Sequence, residues 1–504
     1  MTAKHCQPDF ETFRALSAEG NLLPVSIELA ADYETTLSAF EKISDGRCAF
    51  LLESAEMSSV SGRFSILGSS PRIVFTARGK ECEIEERGKL RKVTAERDPL
   101  EELERVMKQC RLPKGVKPGV FHGGAVGYLA YDVVRYFEPS LPPPPPDTLG
   151  IPDMVFFVTD TVLVFDHKHR KVSVTANVFI DEHPSLDEAY KWALEQLNGI
   201  VGKLAAPLPL RAPRVFPALT QQKVPEFRSN TTQAEYEGMV TKAREYIAAG
   251  DIFQVVPSQR MTTDYKGSPI DLFRALRHVN PSPYMFCLTF PQGFSLVGSS
   301  PEVHVKCMNR RIDIRPIAGT RWRGKTTEED DALAADLLAD PKENAEHIML
   351  VDLARNDVGR VARYGTVNVS DLRVIERYSH VMHIVSNVDG ELDPSHSAYD
   401  VMRATFPAGT VSGSPKVRAM EIISELEKAK RCAYAGAVGY FGFDGNLDSC
   451  IALRTCVLKD GEAHVQAGAG VVADSDPTYE YNETVNKATG MLKAIAWARE
   501  LGAE

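Results

Sequence analysis

Two segments of the sequence share a pattern of carboxylates that suits a hard metal ion. Asp340-Pro341 and Asp476-Pro477 each favour a helix start, because Asp caps a helix N-terminus and Pro fits its first position. A Glu-x-x-Glu pair follows each start, and this spacing puts both carboxylates of a pair on one helix face. If the two faces meet, Mg²⁺ is the ion that suits such oxygen ligands. The predicted metal ligands are Glu343, Glu346, Glu480 and Glu483.

An ordinary structural explanation exists for the same glutamates. Glu343 lies three residues after Asp340, where it would complete a capping box. Helical glutamates are also mostly solvated surface groups. The recurrence of the whole pattern at two helix starts is what favours the metal-site interpretation.

Two small-residue segments have the composition of anion-binding loops. QAGAGVVADS, from Gln466, follows a predicted strand, and its glycines let backbone N–H groups approach an anion closely. Thr410, Ser412 and Gly413 lie in a loop before a helix predicted to start near Pro415, and helix N-termini attract anions. A tight turn between strand and helix is the alternative for the glycine segment.

Two basic residues complete the candidate site. Arg454 lies in CIALRTC, which we predict to be an apolar strand, and an arginine there needs a buried partner or a ligand. Lys487 follows Glu483 by one helical turn. A salt bridge from Arg454 to one of the glutamates is an equally good explanation. Together, a Mg²⁺ cluster and these cations suit a small substrate with two carboxylates.

The elements that position these residues indicate an α+β fold. Strand-like runs are interrupted by helices without a regular βαβ alternation, which favours large antiparallel sheets packed together with helices outside. The five prolines of 141–147 predict a surface loop, and the proline-rich stretch of about 205–227 predicts a linker. We therefore expect an N-terminal region, 1–220, and a C-terminal domain, 221–504.

Composition excludes several classes of protein. The 504 residues carry a net charge of −10, which argues against nucleic acid as the main partner. The nine cysteines show no C-x-x-C spacing, as expected for reduced thiols. No signal-peptide pattern or membrane-spanning apolar run is present, so we expect a cytoplasmic protein without a membrane partner. A near-repeat, GGAVGYLAYD at 123 and AGAVGYFGFDG at 435, could be chance or two similar strands.

At this point the motifs match a known family. DIFQVVPSQR, GSSPE, PIAGTR, ENAEHIMLVDLARNDVGRV, FPAGTVSGSPKVRAMEII and QAGAGVVADSDPTYE occur between about 230 and 495. This set resembles the large, chorismate-binding subunit of anthranilate synthase, and LLES and GRFS extend the likeness toward residue 50. The resemblance implies the chorismate-binding enzyme fold and a Mg²⁺-dependent lyase that makes anthranilate and pyruvate for tryptophan biosynthesis.

The resemblance also implies residue functions. Glu346 and Glu483 contact Mg²⁺, and Glu343 and Glu480 support them through water. Lys487 neutralises the cluster. Glu302 acts as the general acid that protonates the departing hydroxyl, and His383 assists the loss of pyruvate, with Thr320 as a further catalytic candidate. The residues implied to hold the substrate are Thr410, Tyr434, Arg454, Gly468, Ala469, Gly470 and Lys487.

Two positions discriminate between related chorismate enzymes. Relatives that form isochorismate have a water-activating Lys in the strand that reads IFQVV here, where Gln254 stands. Relatives that form aminodeoxychorismate have a Lys in PIKGT, and Ala318 replaces it here. Both differences favour anthranilate formation from ammonia. The alternatives are an aminodeoxychorismate synthase large subunit or a non-catalytic tryptophan-sensing partner.

The resemblance implies two further binding partners. No amidotransferase nucleophile motif is present, so a separate glutamine amidotransferase subunit would supply ammonia, in a heterotetramer. Tryptophan would bind as feedback inhibitor where LLES meets NPSPYM, and the contacts near Arg63 and Phe64 differ from those of one related enzyme type. The residues implied for this inhibitor site are Glu53, Ser54, Pro283, Tyr284, Met285, Val438 and Tyr440.

Overall fold

The computed structural model describes residues 5–54, 62–116, 121–208, 223–378 and 381–501. It confirms the α+β class. The helices are α1 Phe10–Leu16, α2 Thr36–Ile43, α3 Pro99–Met107, α4 Val134–Phe137, α5 Leu186–Ala205, α6 Gln233–Ala248, α7 Pro269–Val279, α8 Thr327–Ala339, α9 Pro341–Gly359, α10 Ala398–Thr405, α11 Lys416–Leu426 and α12 Pro477–Leu501.

The strands fall on both sides of the predicted linker. Those before it are β1 Leu22–Ala30, β2 Ala49–Glu53, β3 Phe64–Ser69, β4 Ile73–Arg78, β5 Glu81–Glu86, β6 Lys89–Thr94, β7 Gly124–Leu129, β8 Met154–Val158, β9 Thr161–Asp166 and β10 Lys171–Phe179. Those after it are β11 Arg228–Ser229, β12 Gln254–Val255, β13 Ser258–Asp264, β14 Tyr284–Phe290, β15 Phe294–Ser300, β16 Val303–Met308, β17 Arg311–Ile314, β18 Ile317–Trp322, β19 Asn368–Arg377, β20 Val381–Glu391, β21 Gly413–Ser414, β22 Ala437–Gly442, β23 Leu447–Ile451, β24 Thr455–Lys459 and β25 Glu462–Gly468.

Two large antiparallel sheets pack face to face. The first has the order β1-β10-β9-β3-β2-β14-β15-β24-β25-β13-β11, and the second has β18-β20-β17-β16-β23-β22-β7-β8-β4-β5-β6 with β19 beside β20. A core of buried residues that includes Phe50, Tyr128, Phe157 and Phe286 lies between them. Helices α5, α7 and α12 cover the outer face of the first sheet, and α3, α9, α10 and α11 cover that of the second. This four-layer arrangement leaves the helix starts at the sheet edges.

The two halves of the chain form a repeated arrangement. The central pairs are β2 with β14 in one sheet and β7 with β22 in the other, and outward from them β3, β9 and β10 match β15, β24 and β25. Gly127 pairs directly with Gly439 at the centre of the second sheet. The near-repeat of the sequence is therefore a pair of adjacent strands. A second repeat, FSILGSSP from 64 and FSLVGSSP from 294, occupies β3 and β15 and was missed.

The predicted boundary lies between these halves. Helix α5 ends at Ala205 and β11 begins at Arg228, while residues 209–222 of the predicted linker lie outside the described residues. Both sheets continue from one half into the other, so the two predicted regions share their sheets. The proline-rich segment 141–147 is a loop, as predicted. No helix among the described residues is long and apolar enough to cross a membrane, and all nine cysteines are free.

The prediction that Arg454 lies within a strand is wrong. The run CIALRTCVL is divided into β23, which belongs to the second sheet, and β24, which belongs to the first. Arg454 stands at the crossing with a φ of +46°, in the left-handed region. Because both flanking strands are buried, the sequence stays apolar through the crossing. The sequence pattern therefore gives no sign that the chain changes sheets there.

Candidate active site

The predicted helix starts are observed, and each is capped by its aspartate. Asp340 accepts hydrogen bonds from the backbone N–H groups of Lys342 and Glu343, at 2.9 and 3.2 Å. Asp476 accepts one from the N–H of Tyr479 at 2.8 Å. Each cap fixes where its helix begins, and the carboxylates of the first turns follow from that point.

A cavity of about 300 Å³ lies between the starts of α9 and α12, the end of β25 and the crossing at Arg454. Residues of nine separate segments meet here, although they are up to 233 positions apart between Gln254 and Lys487. The predicted site residues that line it are Glu302, Glu346, Thr410, Tyr434, Arg454, Gly468, Gly470, Glu480, Glu483 and Lys487.

Three of the four predicted metal ligands face this cavity. Glu346 on α9 accepts a hydrogen bond from Gln254 Nε2 at 2.8 Å, and Glu483 on α12 pairs with Lys487 at 2.5 Å. Glu480 is buried, which raises its pKa, and its Oε2 atom has no hydrogen-bond partner among the described residues. An orphaned, buried carboxylate oxygen between two other carboxylates is an arrangement that a cation would relieve.

Glu343 lies outside the cavity lining. It pairs with Arg321 at 3.2 Å, and burial raises its pKa. Among the described residues, no group of three or more His, Cys, Asp or Glu side chains is placed so that it could hold a metal ion by itself. Glu346, Glu480 and Glu483 are oxygen donors of the type that Mg²⁺ accepts together with several waters.

Arg454 points into the cavity without a protein counter-ion. Within the described part of the chain, no carboxylate lies within salt-bridge distance of its guanidinium, and no acceptor hydrogen-bonds to it. Burial lowers its pKa, while the nearby Glu302, Tyr434 and Glu483 raise it. The alternative of a salt bridge to a glutamate is therefore not observed. A half-buried, unpaired guanidinium is suited to bind an anionic group from outside the protein.

Glu302 is placed to hold a proton. It follows β15 in the GSSPE segment and lines the cavity. Burial raises its pKa, against smaller lowering effects of Thr410, Lys487 and Arg454. A carboxyl group with a raised pKa stays protonated at a higher pH than an ordinary glutamate and so can act as a general acid.

The glycines at the end of β25 let the segments of the cavity wall pack closely together. A Cβ atom at Gly468 would lie 2.8 Å from the hydroxyl of Tyr434 and 2.8 Å from the carbonyl of Pro257, so no larger residue fits. The Gly468 carbonyl accepts from Lys487 Nζ at 3.2 Å. Ala469 is fully buried and its N–H donates to the Pro257 carbonyl, so this residue, unlike its neighbours, does not line the cavity.

His383 and Thr320 lie together behind the cavity wall. The Nδ1 atom of His383 is 2.9 Å from the Gly319 carbonyl and 3.1 Å from the Thr320 hydroxyl. Because a carbonyl only accepts, Nδ1 carries the proton and Nε2 is left as the basic nitrogen. Burial lowers the pKa of His383, and neither residue lines the cavity.

Four lining residues with polar side chains were absent from the predicted site. Gln254 was used only to discriminate between relatives, and Lys342, Gln466 and Tyr479 were not considered. Lys342 and Tyr479 lie in the same first helical turns as the predicted glutamates, so the helix-start pattern could have indicated them. Gln466 is on β25, two residues before Gly468, where strand alternation places both on one face.

Comparison with known proteins identifies the family of this chain. The profile of the chorismate binding enzyme family matches residues 47–493. Anthranilate synthase component 1 of Pseudomonas putida is 47% identical over 500 residues, which cover 98% of this chain and 99% of the relative. The crystal structure of anthranilate synthase component I from Streptococcus pneumoniae superposes with a TM-score of 0.75 at 39% identity, covering 87% of this chain and 94% of that one.

The chain belongs to the chorismate-binding enzymes, in the anthranilate synthase component 1 family. A more distant structure, the menaquinone-specific isochorismate synthase of Escherichia coli, has a TM-score of 0.70 at 19% identity and covers 96% of this chain and 98% of that one. At that identity the likeness concerns the fold alone. It confirms the predicted chorismate-binding architecture of two packed antiparallel sheets.

A second cavity of about 180 Å³ lies between the two sheets, near their centre. All residues predicted for the inhibitor site line it, although they come from three separate segments. They are Glu53, Ser54, Pro283, Tyr284, Met285, Val438 and Tyr440. Unlike the first cavity, it is lined mainly by apolar and aromatic side chains, which suits a ligand with an aromatic ring.

Polar groups are confined to the edge of this second cavity. The hydroxyl of Ser54 is buried without a hydrogen-bond partner among the described residues. Tyr284 donates to Asp448 at 3.0 Å, and Glu53 is already paired with Arg277 at 2.9 Å. Arg63 pairs with Asp166 at 2.7 Å. Asp448 was missed by the sequence analysis, and together with Ser54 it gives the cavity a polar end.

Proposed function

We propose that this chain converts chorismate and ammonia into anthranilate and pyruvate, with water as the other product. The observation that carries the proposal is the cavity that an unpaired Arg454 lines together with an under-satisfied group of carboxylates on two helix starts. That arrangement suits a substrate with two carboxylates: one on the guanidinium side, and one toward a cation held by Glu346, Glu480 and Glu483. Membership of the anthranilate synthase component 1 family supports the same reaction.

The chain's own groups account for the proton movements. Arg454 and the backbone at Gly468 and Gly470 hold and orient the substrate. Glu302 gives its proton to the ring hydroxyl as it leaves as water, while ammonia adds to the ring. The basic Nε2 of His383 assists the second step, in which the ring loses a proton and the enolpyruvyl group leaves as pyruvate. When bound, Mg²⁺ would neutralise a substrate carboxylate and the surrounding glutamates.

Two positions, of which Gln254 lines the cavity, support ammonia as the nucleophile. Gln254 offers an amide rather than a base, and its Nε2 is already engaged with Glu346. Ammonia needs no base to become a nucleophile, whereas water does. Ala318 has no amine that could attack the ring, which argues against the covalent route of some aminodeoxychorismate synthases.

A partner and an inhibitor complete the proposal. We infer that a separate glutamine amidotransferase subunit supplies ammonia, in a cytoplasmic heterotetramer, because the sequence has no amidotransferase nucleophile loop. Tryptophan is the ligand that we propose for the second cavity. The aromatic walls at Tyr284 and Tyr440 suit an indole ring, and the polar end at Ser54 and Asp448 suits an amino acid backbone.

Incubation of the purified chain with chorismate, Mg²⁺ and ammonium salts at alkaline pH tests the reaction. We expect anthranilate fluorescence to increase with ammonium, and glutamine to be used only after the partner subunit is added. Chromatography separates anthranilate from 4-aminobenzoate precursors. Formation of aminodeoxychorismate in place of anthranilate, or glutamine-dependent turnover by the isolated chain, would contradict the proposal.

A further inference from the structure

A fully buried ion pair lies directly behind the catalytic cavity. The side chains of Arg431 and Glu427 are 1% and 4% exposed. Glu427 accepts from Arg431 Nε at 2.9 Å and from Nη2 at 2.6 Å. A buried ion pair by itself adds little to stability, because desolvation of both charges offsets their attraction. Its other contacts therefore indicate what it does.

The remaining N–H groups of Arg431 reach the cavity wall. Nη1 donates to the Val411 carbonyl at 2.7 Å and Nη2 to the Val256 carbonyl at 2.5 Å. The guanidinium carbon also lies 5.5 Å from the ring centre of Tyr434. Val256, Val411 and Tyr434 all line the cavity, and they belong to three different segments. A single side chain thus holds three parts of the wall.

The carboxylate of the pair holds a fourth part. Glu427 accepts from the N–H of Ser258 at 2.8 Å and from its hydroxyl at 2.7 Å. The Ser258 hydroxyl in turn accepts from Gln466 Nε2 at 2.8 Å. Gln466 lines the cavity two residues before Gly468. The network is continuous from the Val411 carbonyl to the strand that carries the glycine segment.

We propose that Arg431 is a positioning residue for the reaction. By fixing the Val411 carbonyl it places the neighbouring Thr410 beside Glu302, and by lying against Tyr434 it places that hydroxyl beside Gly468. The inference rests on the proposed function for its activity readout. It depends on the planar fork of a guanidinium, because a lysine ammonium cannot reach two carbonyls and a carboxylate with the same geometry.

Comparison of R431K with R403K tests the proposal. Arg403 is a matched control, since it is 12% exposed and pairs with Asp98 at 3.0 Å, but its ionic contacts are carboxylates that do not line the cavity. We expect both variants to fold with a lowered Tm. We expect R431K to raise KM for chorismate and to lower kcat/KM about 100-fold, because a misplacement of about 1 Å has that cost. R403K should stay within about twofold of the parent.

Separate measurement of KM and kcat distinguishes a loss of positioning from a loss of stability. Partial unfolding reduces the amount of active enzyme and so lowers kcat with KM unchanged. A rise of KM in R431K alone supports the proposal, and equal kinetic losses in R431K and R403K would overturn it. If R431K fails to fold, the double variant R431M/E427L replaces the pair by apolar groups and should fold. Parent-like kinetics of that variant would also overturn the proposal.

A crystal structure of R431K gives a readout that does not depend on turnover. We expect displacement of Thr410 and Tyr434 relative to Glu302 and Gly468. A cavity wall that superposes on that of the parent would refute the positioning inference even if the parent makes anthranilate. If the parent makes another product, the proposed function fails while a displaced wall still supports the positioning inference.

Discussion

The two halves of the molecule have the same strand order, but the residues that line the catalytic cavity all belong to the C-terminal half. Leu67 pairs with Leu163 in the N-terminal half, as Val297 pairs with Cys456 in the C-terminal half. Following the ladders outward from these pairs, Asn177 of β10 corresponds to Gly468 of β25. Backbone arrangement alone therefore does not make the cavity.

Side chains fill the corresponding place in the N-terminal half. Phe179 stands where Gly470 stands in the other half, and the guanidinium carbon of Arg72 lies 3.9 Å from its ring centre. Arg72 follows GSSP, as Glu302 does, and it pairs with Glu86 at 2.7 Å. In one half a half-buried acid, Glu302, lines a cavity, and in the other a buried base, Arg72, is neutralised by carboxylates. The difference shows that small residues at the end of β25 decide whether a ligand can enter.

The second cavity shows the same contrast. Gly127 and Gly439 are paired, and each is followed by a tyrosine, so Tyr128 corresponds to Tyr440, which lines this cavity. Tyr128 packs against Phe290 at 5.3 Å between ring centres, and Phe290 stacks on Phe294 at 4.6 Å. These aromatic rings fill the place that corresponds, in the other half of the molecule, to the proposed inhibitor site. One of the two related places is open, and the other is part of the core.

The largest expected effect concerns Glu302, whose position in the C-terminal half corresponds to that of Arg72 in the N-terminal half. Glu302→Gln should lower kcat about 10³-fold, because it removes a general acid. Since burial raises the pKa of Glu302 and its protonated form is active, turnover by the parent should fall only as pH rises through that raised pKa. The pH profile of kcat checks this. Arg72→Gln should lower Tm and leave kcat of the folded enzyme unchanged, and a 10³-fold loss there would break the comparison.

The next effect concerns the helices that follow β25 and β10. Glu483→Gln on α12 should lower activity by more than about 100-fold and raise the Mg²⁺ concentration needed for half-maximal rate, since it removes a proposed ligand. Glu195→Gln on the corresponding helix α5 is the control, because that residue is exposed. Magnesium titrations of the rate measure both. If the Mg²⁺ dependence of Glu483→Gln is the same as that of the parent, the proposed metal site in the cavity is wrong.

A third prediction makes the open half resemble the filled one. Gly468→Asn should lower kcat/KM about 100-fold, because a Cβ atom would lie 2.8 Å from the Tyr434 hydroxyl and displace it. The reverse change, Asn177→Gly, should leave kcat/KM unchanged and lower Tm. Steady-state kinetics and thermal unfolding measure both. Normal turnover in Gly468→Asn would show that the glycine is not what opens the cavity.

The smallest effect concerns the second cavity. Ser54→Ala should raise the tryptophan concentration for half-inhibition about tenfold, which corresponds to one lost hydrogen bond of about 1.4 kcal/mol. The rate without tryptophan should stay unchanged, because Ser54 does not line the catalytic cavity. An inhibition curve with each enzyme measures the shift. If tryptophan inhibits neither the parent nor the variant, the proposed ligand of this cavity is wrong.

Local patterns were sufficient for the helix starts and for the fold class. The Asp-Pro pairs at 340 and 476 determine their helices through side-chain caps and a fixed proline φ, which depend only on neighbouring residues. The family resemblance supplied Glu302 and the residues of the second cavity. It also identified His383 and Thr320, whose catalytic part remains a prediction, since the structure places them behind the cavity wall.

The sequence by itself determined where α9 and α12 begin, which residues cap them, and that their first turns carry carboxylates. Tertiary structure alone decided that Arg454 stands at a crossing between sheets and that Glu343 pairs with Arg321. It also decided that Arg431 contacts three parts of the cavity wall. Caps and turns depend on contacts within a few residues, so they can be read locally. A cavity depends on the packing of segments far apart in the chain, where one glycine or one phenylalanine decides whether space remains.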